Sequence, residues 1–449
     1  MHYLCSAKNE LYIQNAMKKR IFGSMLASLV ALAATAQISN TLSPYSQFGL
    51  GTLANQSLGM GRGMGGVGIG LRDSKQPNII NPASYSGVDS LTMVIDMGVS
   101  GQFSHFTEGG NKMNRKAADF DYAVALFRLL PKVGATIGIV PYTNIGYNYS
   151  SSQRISSAPG NGTTSYTNTY KGSGGFSQAF LGLGWEFAKG VSIGANFSYL
   201  WGGYDRTVSN VLSDSYANTL QKNYSAEVQN WKLDLGAQWT MKVGKNDWLT
   251  IGATAGIGHK LGADAILKTT TTNTQTGVSV SNADTVSNAF RLPYTFGGGV
   301  SLLHKNSLTV GVDYMLQKWG DIDIPQVNET NKKYELASGL LMDRHQVAVG
   351  ADWIPNRESR RFFNRVHYRI GASYATPYYK IGAQDGPTEI GVSAGFGIPI
   401  VNSWNNRTSL NISAQWVHTS AKNLIKEDCF RINIGLTFNE RWFAKWKVD

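Results

Sequence analysis

Long runs of strict two-residue alternation constrain this chain more than any other feature. In "FRINIGLTF", Phe430, Ile432, Ile434, Leu436 and Phe438 fall on one side; Arg431, Asn433, Gly435 and Thr437 fall on the other. In "WKLDLGAQW", Trp231, Leu233, Leu235, Ala237 and Trp239 oppose Lys232, Asp234, Gly236 and Gln238. The segments around Val310 and Ile412 read the same way. Side chains of a strand alternate between its two faces, so each such run is a strand with one apolar and one polar face.

A soluble sandwich also alternates, and three further features separate it from a membrane barrel. Many runs extend over roughly ten to fifteen residues, where an ordinary strand has about five or six. Short links at 130–132, 188–190, 243–246 and 304–306 interleave with long polar ones at 150–174, 205–229 and 269–286. Short turns at one end and long loops at the other are the outer-membrane arrangement. Threading the chain up and down puts Trp185, Trp239, Trp248 and Trp353 at short-turn ends and Trp201, Trp231, Trp319 and Trp416 at long-loop ends. That pattern predicts an aromatic girdle at each rim of an apolar band. The fold class expected is therefore all-β: a transmembrane antiparallel β-barrel of about fourteen strands. The strand windows run from 91–104 to 429–439 and include 247–265, 286–303 and 335–354.

Composition and the N-terminus agree with export. Charged residues make up 16% of the chain, against about 25% in ordinary soluble domains. No apolar run of eighteen residues follows the N-terminal region, so transmembrane helices are not expected. Met17-Lys18-Lys19-Arg20, the apolar stretch Ile21–Ala34 and Ala34-Thr35-Ala36 read as a secretory signal peptide over residues 1–36, with 1–16 as a start-site extension. Cys429 is the one cysteine beyond the leader, which leaves no intrachain disulfide. The formal charge of +12 falls to about +9 once the leader's four bases and one acid are removed. On an exported chain that excess suits rims beside anionic lipid headgroups; nucleic acid is excluded as a partner.

Residues 37–90 lack the alternating pattern, and 440–449 form a short amphipathic tail expected at the periplasmic rim. Fourteen strands enclose more space than wall side chains fill, since about eight strands already close a filled interior. A compact hatch over 37–90 inside a barrel of 91–439 is the expected organisation. "GMGRGMGGVGIG", with Gly61, Gly63 and Gly66, allows close backbone approach. Asn81-Pro82 initiates a turn. The spacing Gly61-x-Gly63-x-x-Gly66 matches a dinucleotide fingerprint formally, without the flanking strand and helix that such a site requires. The six histidines after the leader show no metal-ligand spacing and no motif marks a nucleophile, so neither an enzyme, a metal site nor a cofactor is expected.

"GMGRGMGGVGIGLRDSKQPNIINPASYSGVD" resembles the N-terminal hatch of the FadL-type outer-membrane transporters of long-chain fatty acids and other hydrophobic compounds. There a Gly/Ala-rich stretch precedes an Asn-Pro-Ala motif, matched here by Asn81, Pro82 and Ala83. The resemblance implies an outer-membrane location, a hatch that gates near Asn81-Pro82, and a hydrophobic small-molecule ligand taken up passively. Pro141 interrupts the third strand, where proline removes a ladder donor and forces a bulge. In the resembled family a kink there opens the wall sideways, which places Val140, Pro141, Tyr142, Ile145 and Tyr147 at a lateral exit. The ending "GLTFNERWF" resembles barrels of Bacteroidetes-type bacteria. In that group FadL-like barrels also serve as accessory parts of outer-membrane assembly and secretion machines. Two functions follow from the resemblance. The leading one is a plugged channel for hydrophobic compounds. The rival is a closed scaffold barrel with protein partners, marked by a polar-filled lumen and a sealed third strand.

Overall fold

The computed structural model describes residues 43–90, 92–155, 164–214, 216–401 and 407–441. The expected signal peptide, residues 37–42 of the expected hatch segment, Leu91 and the tail beyond Arg441 lie outside the described residues.

The first strand among the described residues is the two-residue β1 (Thr52–Leu53), preceded by a 3₁₀ turn at Pro44–Gln47, and long antiparallel strands follow. These are β2 (Thr92–Glu108), β3 (Asn111–Leu130), β4 (Val133–Ile155), β5 (Thr164–Ala188), β6 (Val191–Leu212), β7 (Thr219–Lys242) and β8 (Asp247–Gly256). A hairpin follows, β9 (Ala265–Thr272) and β10 (Ser279–Val286), and then β11 (Tyr294–His304) and β12 (Leu308–Lys318). Next come the small hairpin β13 (Ile324–Val327) and β14 (Tyr334–Ala337), then β15 (Arg344–Trp353) and β16 (His367–Ala375). The two-residue pair β17 (Lys380–Ile381) and β18 (Gln384–Asp385) precedes β19 (Thr388–Val401), β20 (Arg407–Ser420) and β21 (Lys426–Arg441). Fourteen strands pair each with the next, skipping the small hairpins, and β21 closes on β2 from Thr92↔Arg441 to Thr107↔Lys426. The result is a closed antiparallel barrel.

Its faces are inverted relative to a soluble sheet. On β21, Ile432 is 57% exposed while its neighbour Asn433 is 4% exposed. Val347, Val349 and Trp353 likewise face outward, whereas Ala348 and Asp352 are buried. Apolar side chains on the outside and polar ones inside need a hydrocarbon solvent around the cylinder, since in lipid only a closed barrel satisfies every ladder hydrogen bond.

Many strand boundaries differ from the sequence expectation. The links expected at 150–174 and 205–229 are largely strand, with β4 running to Ile155, β5 starting at Thr164, β6 ending at Leu212 and β7 starting at Thr219. Three other windows are too long. The window 247–265 ends at Gly256, 286–303 starts at Tyr294, and 335–354 starts at Arg344. Pro293 explains the second: it stands just before β11, where a missing N–H costs no ladder bond. Pro377 and Pro387 also stand outside the strands, in the connection between β16 and β19. The polar stretch 269–286 is largely ordered: β9 and β10 pair over eight positions and β9 continues the sheet from the outer half of β7. Thr and Ser hydroxyls pair across this hairpin at Thr270–Ser281 and Thr272–Ser279. At the other end the last strand runs to Arg441, past the expected 439.

Seven of the eight predicted girdle tryptophans, Trp185, Trp201, Trp231, Trp239, Trp248, Trp353 and Trp416, are exposed or half-buried. Trp319 differs. It is fully buried at the end of β12, its ring against Tyr378 and its Nε1 donating to Gln317. It belongs to an apolar cluster beneath the long loops, with Leu292, Ile322 and Leu341. The strand ends one residue before it, so its side chain turns inward instead of continuing the outer face.

Candidate functional site: the hatch and the seam beside it

Residues 43–90 fill the barrel interior, and the wall is shaped for their backbone. A ring of strand glycines faces them. A Cβ at Gly134 would lie 2.0 Å from the Tyr85 carbonyl oxygen, and one at Gly252 would lie 2.1 Å from the Ile69 oxygen. The same holds at Gly194, 2.4 Å from the Pro82 carbonyl carbon, at Gly236, 2.1 Å from Asn81 Oδ1, and at Gly371, 2.2 Å from the Gly65 nitrogen. Only glycine leaves room for a second chain this close to the wall. These positions were not singled out in the sequence; three of the five lie in "IGA" triplets at 193–195, 251–253 and 370–372, but the same triplet at 381–383 lies in a turn.

The Asn-Pro-Ala motif has a local structural role. Asn81 is the N-cap of a 3₁₀ helix spanning Pro82–Gly87, its Oδ1 accepting from Ala83 N at 3.1 Å. Pro82 takes the first helical position, where no N–H is needed. Asn81 Nδ2 donates to the carbonyl of Ile69 at 2.8 Å and of Ala237 at 3.1 Å, so one buried amide joins hatch to hatch and hatch to wall. Ala83 is completely buried. Tyr85, also buried, donates its hydroxyl to Asn196 Oδ1 at 2.9 Å, and burial pushes that hydroxyl well above the usual phenol range.

The glycine-rich run folds around a wall carboxylate. Asp313 on β12 accepts from the backbone N–H of Gly68 at 2.5 Å and Ile69 at 2.7 Å, with Gly70 at 3.4 Å. Successive N–H groups converging on one anion form a backbone nest. Gln238 Nε2 donates to the carbonyls of Ile69 and Leu71, and Ser301 Oγ to that of Gly70. Gly61 and Gly63 lie in a short helix, Gly59–Gly63. A Cβ on Gly61 would crowd Ser57 and one on Gly63 would crowd Arg369, whereas Gly66 has open space and a φ of +93°, the left-handed region. Within the same helix, Arg62 reaches the far wall: its guanidinium lies 2.6 Å from Asp121 on β3 and 2.8 Å from Asn433 on β21. Gln415 Nε2 donates to the Arg62 carbonyl, and Ser393 Oγ to that of Gly63. Nearer the short turns, Arg72 pairs with Glu186 at 3.0 Å.

The third barrel strand, β4, is where the wall changes. β3 and β4 pair only from Leu130↔Val133 to Ala123↔Ile139. Beyond that level β4 continues with β5, and its register shifts between Pro141 and Thr143. The vacated edge is taken by the hatch: Thr52↔Asn144 and Leu53↔Thr143 pair as antiparallel strands. Ala54 N donates to the Tyr142 carbonyl at 3.0 Å and Gln56 Nε2 to that of Pro141 at 2.8 Å. Proline thus sits where the neighbouring barrel strand has already departed. Val140, Tyr142, Ile145 and Tyr147 are all buried rather than lining an open slot. Tyr142, Ile145 and Tyr147 pack with Tyr45 and Leu50 of the hatch.

A space of mixed polar and apolar lining remains beside the hatch. A cavity of about 270 Å³ lies between hatch residues 52–57 and the wall, reaching Gln102, Arg344, Glu389, Gln415, Glu427 and Arg431. Glu427 accepts from Ser43 at 2.6 Å, and Arg344 pairs with Glu389 at 3.2 Å. Three histidines hold carboxylates, His304 with Asp247, His367 with Asp352 and His418 with Asp428. Among the described residues no group of three or more His, Cys, Asp and Glu is arranged to hold a metal.

With this geometry in hand, comparison with known proteins is informative. A family model described as BamG matches residues 17–449. No curated protein matches the chain. Among solved structures, the Pseudomonas putida toluene transporter TodX aligns with a TM-score of 0.57 at 14% identity, over 88% of this chain and 100% of that one. The Ralstonia pickettii toluene transporter TbuX gives 0.55 at 14% identity, over 86% and 99%. A Pseudomonas aeruginosa FadL homologue gives 0.54 at 12% identity, over 86% and 98%. At such identity the likeness is one of fold.

Proposed function

This chain belongs to the BamG family, and from that premise we propose that it is a closed FadL-like barrel of the outer membrane serving as a structural subunit of an outer-membrane protein-assembly complex. The observation that carries this reading is the way the lumen is filled. More than a dozen hydrogen bonds tie residues 56–85 to the wall, among them those of Arg62, Gly68, Ile69, Asn81 and Tyr85. At about 1 kcal/mol net apiece, withdrawing the hatch costs far more than thermal energy supplies. The wall residues that hold the hatch include Asn196, Gln238, Ser301, Asp313 and Ser393, hydrogen-bonding partners that suit a second polypeptide better than an alkyl chain. A barrel of this kind offers partners a rigid outer surface and extended extracellular strands.

A second reading, passive uptake of hydrophobic compounds, is favoured by one observation. The β3–β4 pairing stops at Ala123↔Ile139, and a two-residue hatch strand is what covers the gap. Displacing Thr52–Leu53 would open a side exit toward the bilayer, where a ligand gains about 0.8 kcal/mol per buried CH₂.

Purification in mild detergent, with partner identification and lipid extraction from one sample, tests the first reading. A stoichiometric protein partner and no bound hydrophobic ligand are expected. A retained hydrophobic ligand with no partner would overturn it. The second reading is tested by joining the seam covalently. Thr52→Cys with Asn144→Cys, partners in register, should crosslink on mild oxidation and leave partner retention unchanged. If crosslinking abolishes uptake of toluene or oleate in cells, the barrel is a channel.

A further inference from the structure

The turn between β15 and β16 stands apart from the other short turns. It is longer, "IPNRESRRFFNRV" over 354–366, and it is tied into a closed loop by Asn356 N donating to the Asn364 carbonyl at 2.8 Å. Asn364 Nδ2 and Arg361 N both bond Ser359 Oγ, which fixes the interior of the loop. Arg357, Arg360 and Arg361 are held on its exterior, with Glu358 as the single exposed acid among them. Phe362 and Phe363 are 44% and 73% exposed and touch edge to face.

The loop leans onto the lipid-facing side of the wall. Tyr368, whose ring contacts Trp353 and Phe396 on the outer surface, donates its hydroxyl to the Phe363 carbonyl at 3.1 Å. The adjacent turn is joined to its root: Ile354 N donates to the Ser307 carbonyl at 2.8 Å and Ser307 Oγ to the Ile354 carbonyl at 2.5 Å. That turn presents the exposed Lys305. Farther round the same rim Lys132, Lys189, Lys242 and Lys245 are exposed, with Lys132 3.6 Å from Glu186.

We infer that this loop is a headgroup site for anionic phospholipid of the periplasmic leaflet. Arg357, Arg360, Arg361 and Lys305 bind the phosphate-bearing headgroup, and Phe362 and Phe363 enter the acyl boundary. Guanidinium groups bind phosphate oxygens with fixed, often bidentate geometry. Aromatic rings beside cations at the edge of an apolar band are the arrangement of an interfacial anchor. The short-turn end of such a barrel faces the periplasm, so the ligand is a phospholipid rather than the lipopolysaccharide of the opposite leaflet. A lipid is favoured over an acidic protein because the arginines and phenylalanines are placed together over the lipid-facing wall, continuous with the outer apolar surface.

The experiment uses the full mature barrel in detergent with equal amounts of phosphatidylglycerol and phosphatidylethanolamine, read by native mass spectrometry. Retained phosphatidylglycerol should exceed phosphatidylethanolamine by at least fivefold. The combined substitutions Arg357→Gln, Arg360→Gln and Arg361→Gln should bring that ratio near one, with the heat-resistant barrel band on a gel unchanged. Phe363→Ser should lower retention of both lipids, and Lys332→Gln with Lys333→Gln, in the loop at the opposite end, should alter neither. Equal retention of the two lipids by the native protein would overturn the assignment. So would an unchanged ratio in the triple variant, or loss of a copurifying acidic protein with lipid retention intact.

Discussion

Replacing Gly194 with leucine unseats the hatch and makes the barrel conduct. The first side-chain carbon would stand 2.4 Å from the Pro82 carbonyl carbon and 2.6 Å from the Ala83 nitrogen. Both are backbone atoms, so no rotamer change relieves the clash. Overpacking of a core side chain costs roughly 1–3 kcal/mol, and here the displaced turn also gives up the bonds of Asn81. The barrel itself holds, because β6 keeps its complete pairing with β5 and β7. In planar bilayers the native protein should stay closed, while Gly194→Leu shows open events at least tenfold more often. Gly101→Leu is the control: a Cβ there meets nothing within 4 Å. If Gly194→Leu remains as closed as the native barrel, the hatch is not seated against that glycine.

The second large effect comes from removing one carboxylate. Asp313→Ala deprives Gly68 and Ile69 of their acceptor inside the lumen. Each buried donor left without a partner costs about 1–3 kcal/mol. Amide exchange across Gly68–Leu71 should accelerate by on the order of a hundredfold or more, since local opening free energy sets protection. Asp313→Asn retains one acceptor oxygen and should give a smaller increase. Exchange in the β21–β2 ladder should stay slow in both variants. Unchanged protection at Gly68 and Ile69 in Asp313→Ala would show that the nest does not hold the hatch.

The barrel was legible because lipid reverses the usual burial pattern over every strand. Ile432 and Asn433 already contrast in the sequence, and the same contrast repeats around the barrel, so the number and order of the strands could be read although several ends lay far from their expected places. The stretch 269–286 misled because threonine and serine read as loop composition, although threonine is also a good strand former. Trp319 misled because one residue past a strand end reverses the direction of a side chain. The hatch was legible at Asn81-Pro82, where the cap and the proline enforce a turn locally. Its counterpart in the wall was not. A glycine within a strand looks like a weakness unless one knows that a second backbone runs past it, and that knowledge lies across long sequence separations. Arg62, Asp121 and Asn433 illustrate the same limit: nothing nearby in sequence says that three such distant residues meet. Asp313 falls on the polar face of its strand, but its partners, being backbone N–H groups, leave no trace in residue identity.

The contact between Ser43 and Glu427 spans 384 positions, and that between Arg62 and Asn433 spans 371. The earliest part of the chain therefore finds its resting place only after the latest part has been delivered. Loop closure over such distances is slow, and Thr92 must also meet Arg441 to shut the cylinder. The amino-terminal segment can take up these contacts only once the last strand is in place, so its docking belongs to the end of assembly. An aborted carboxy terminus would thus cost the molecule its stopper as well as its seam.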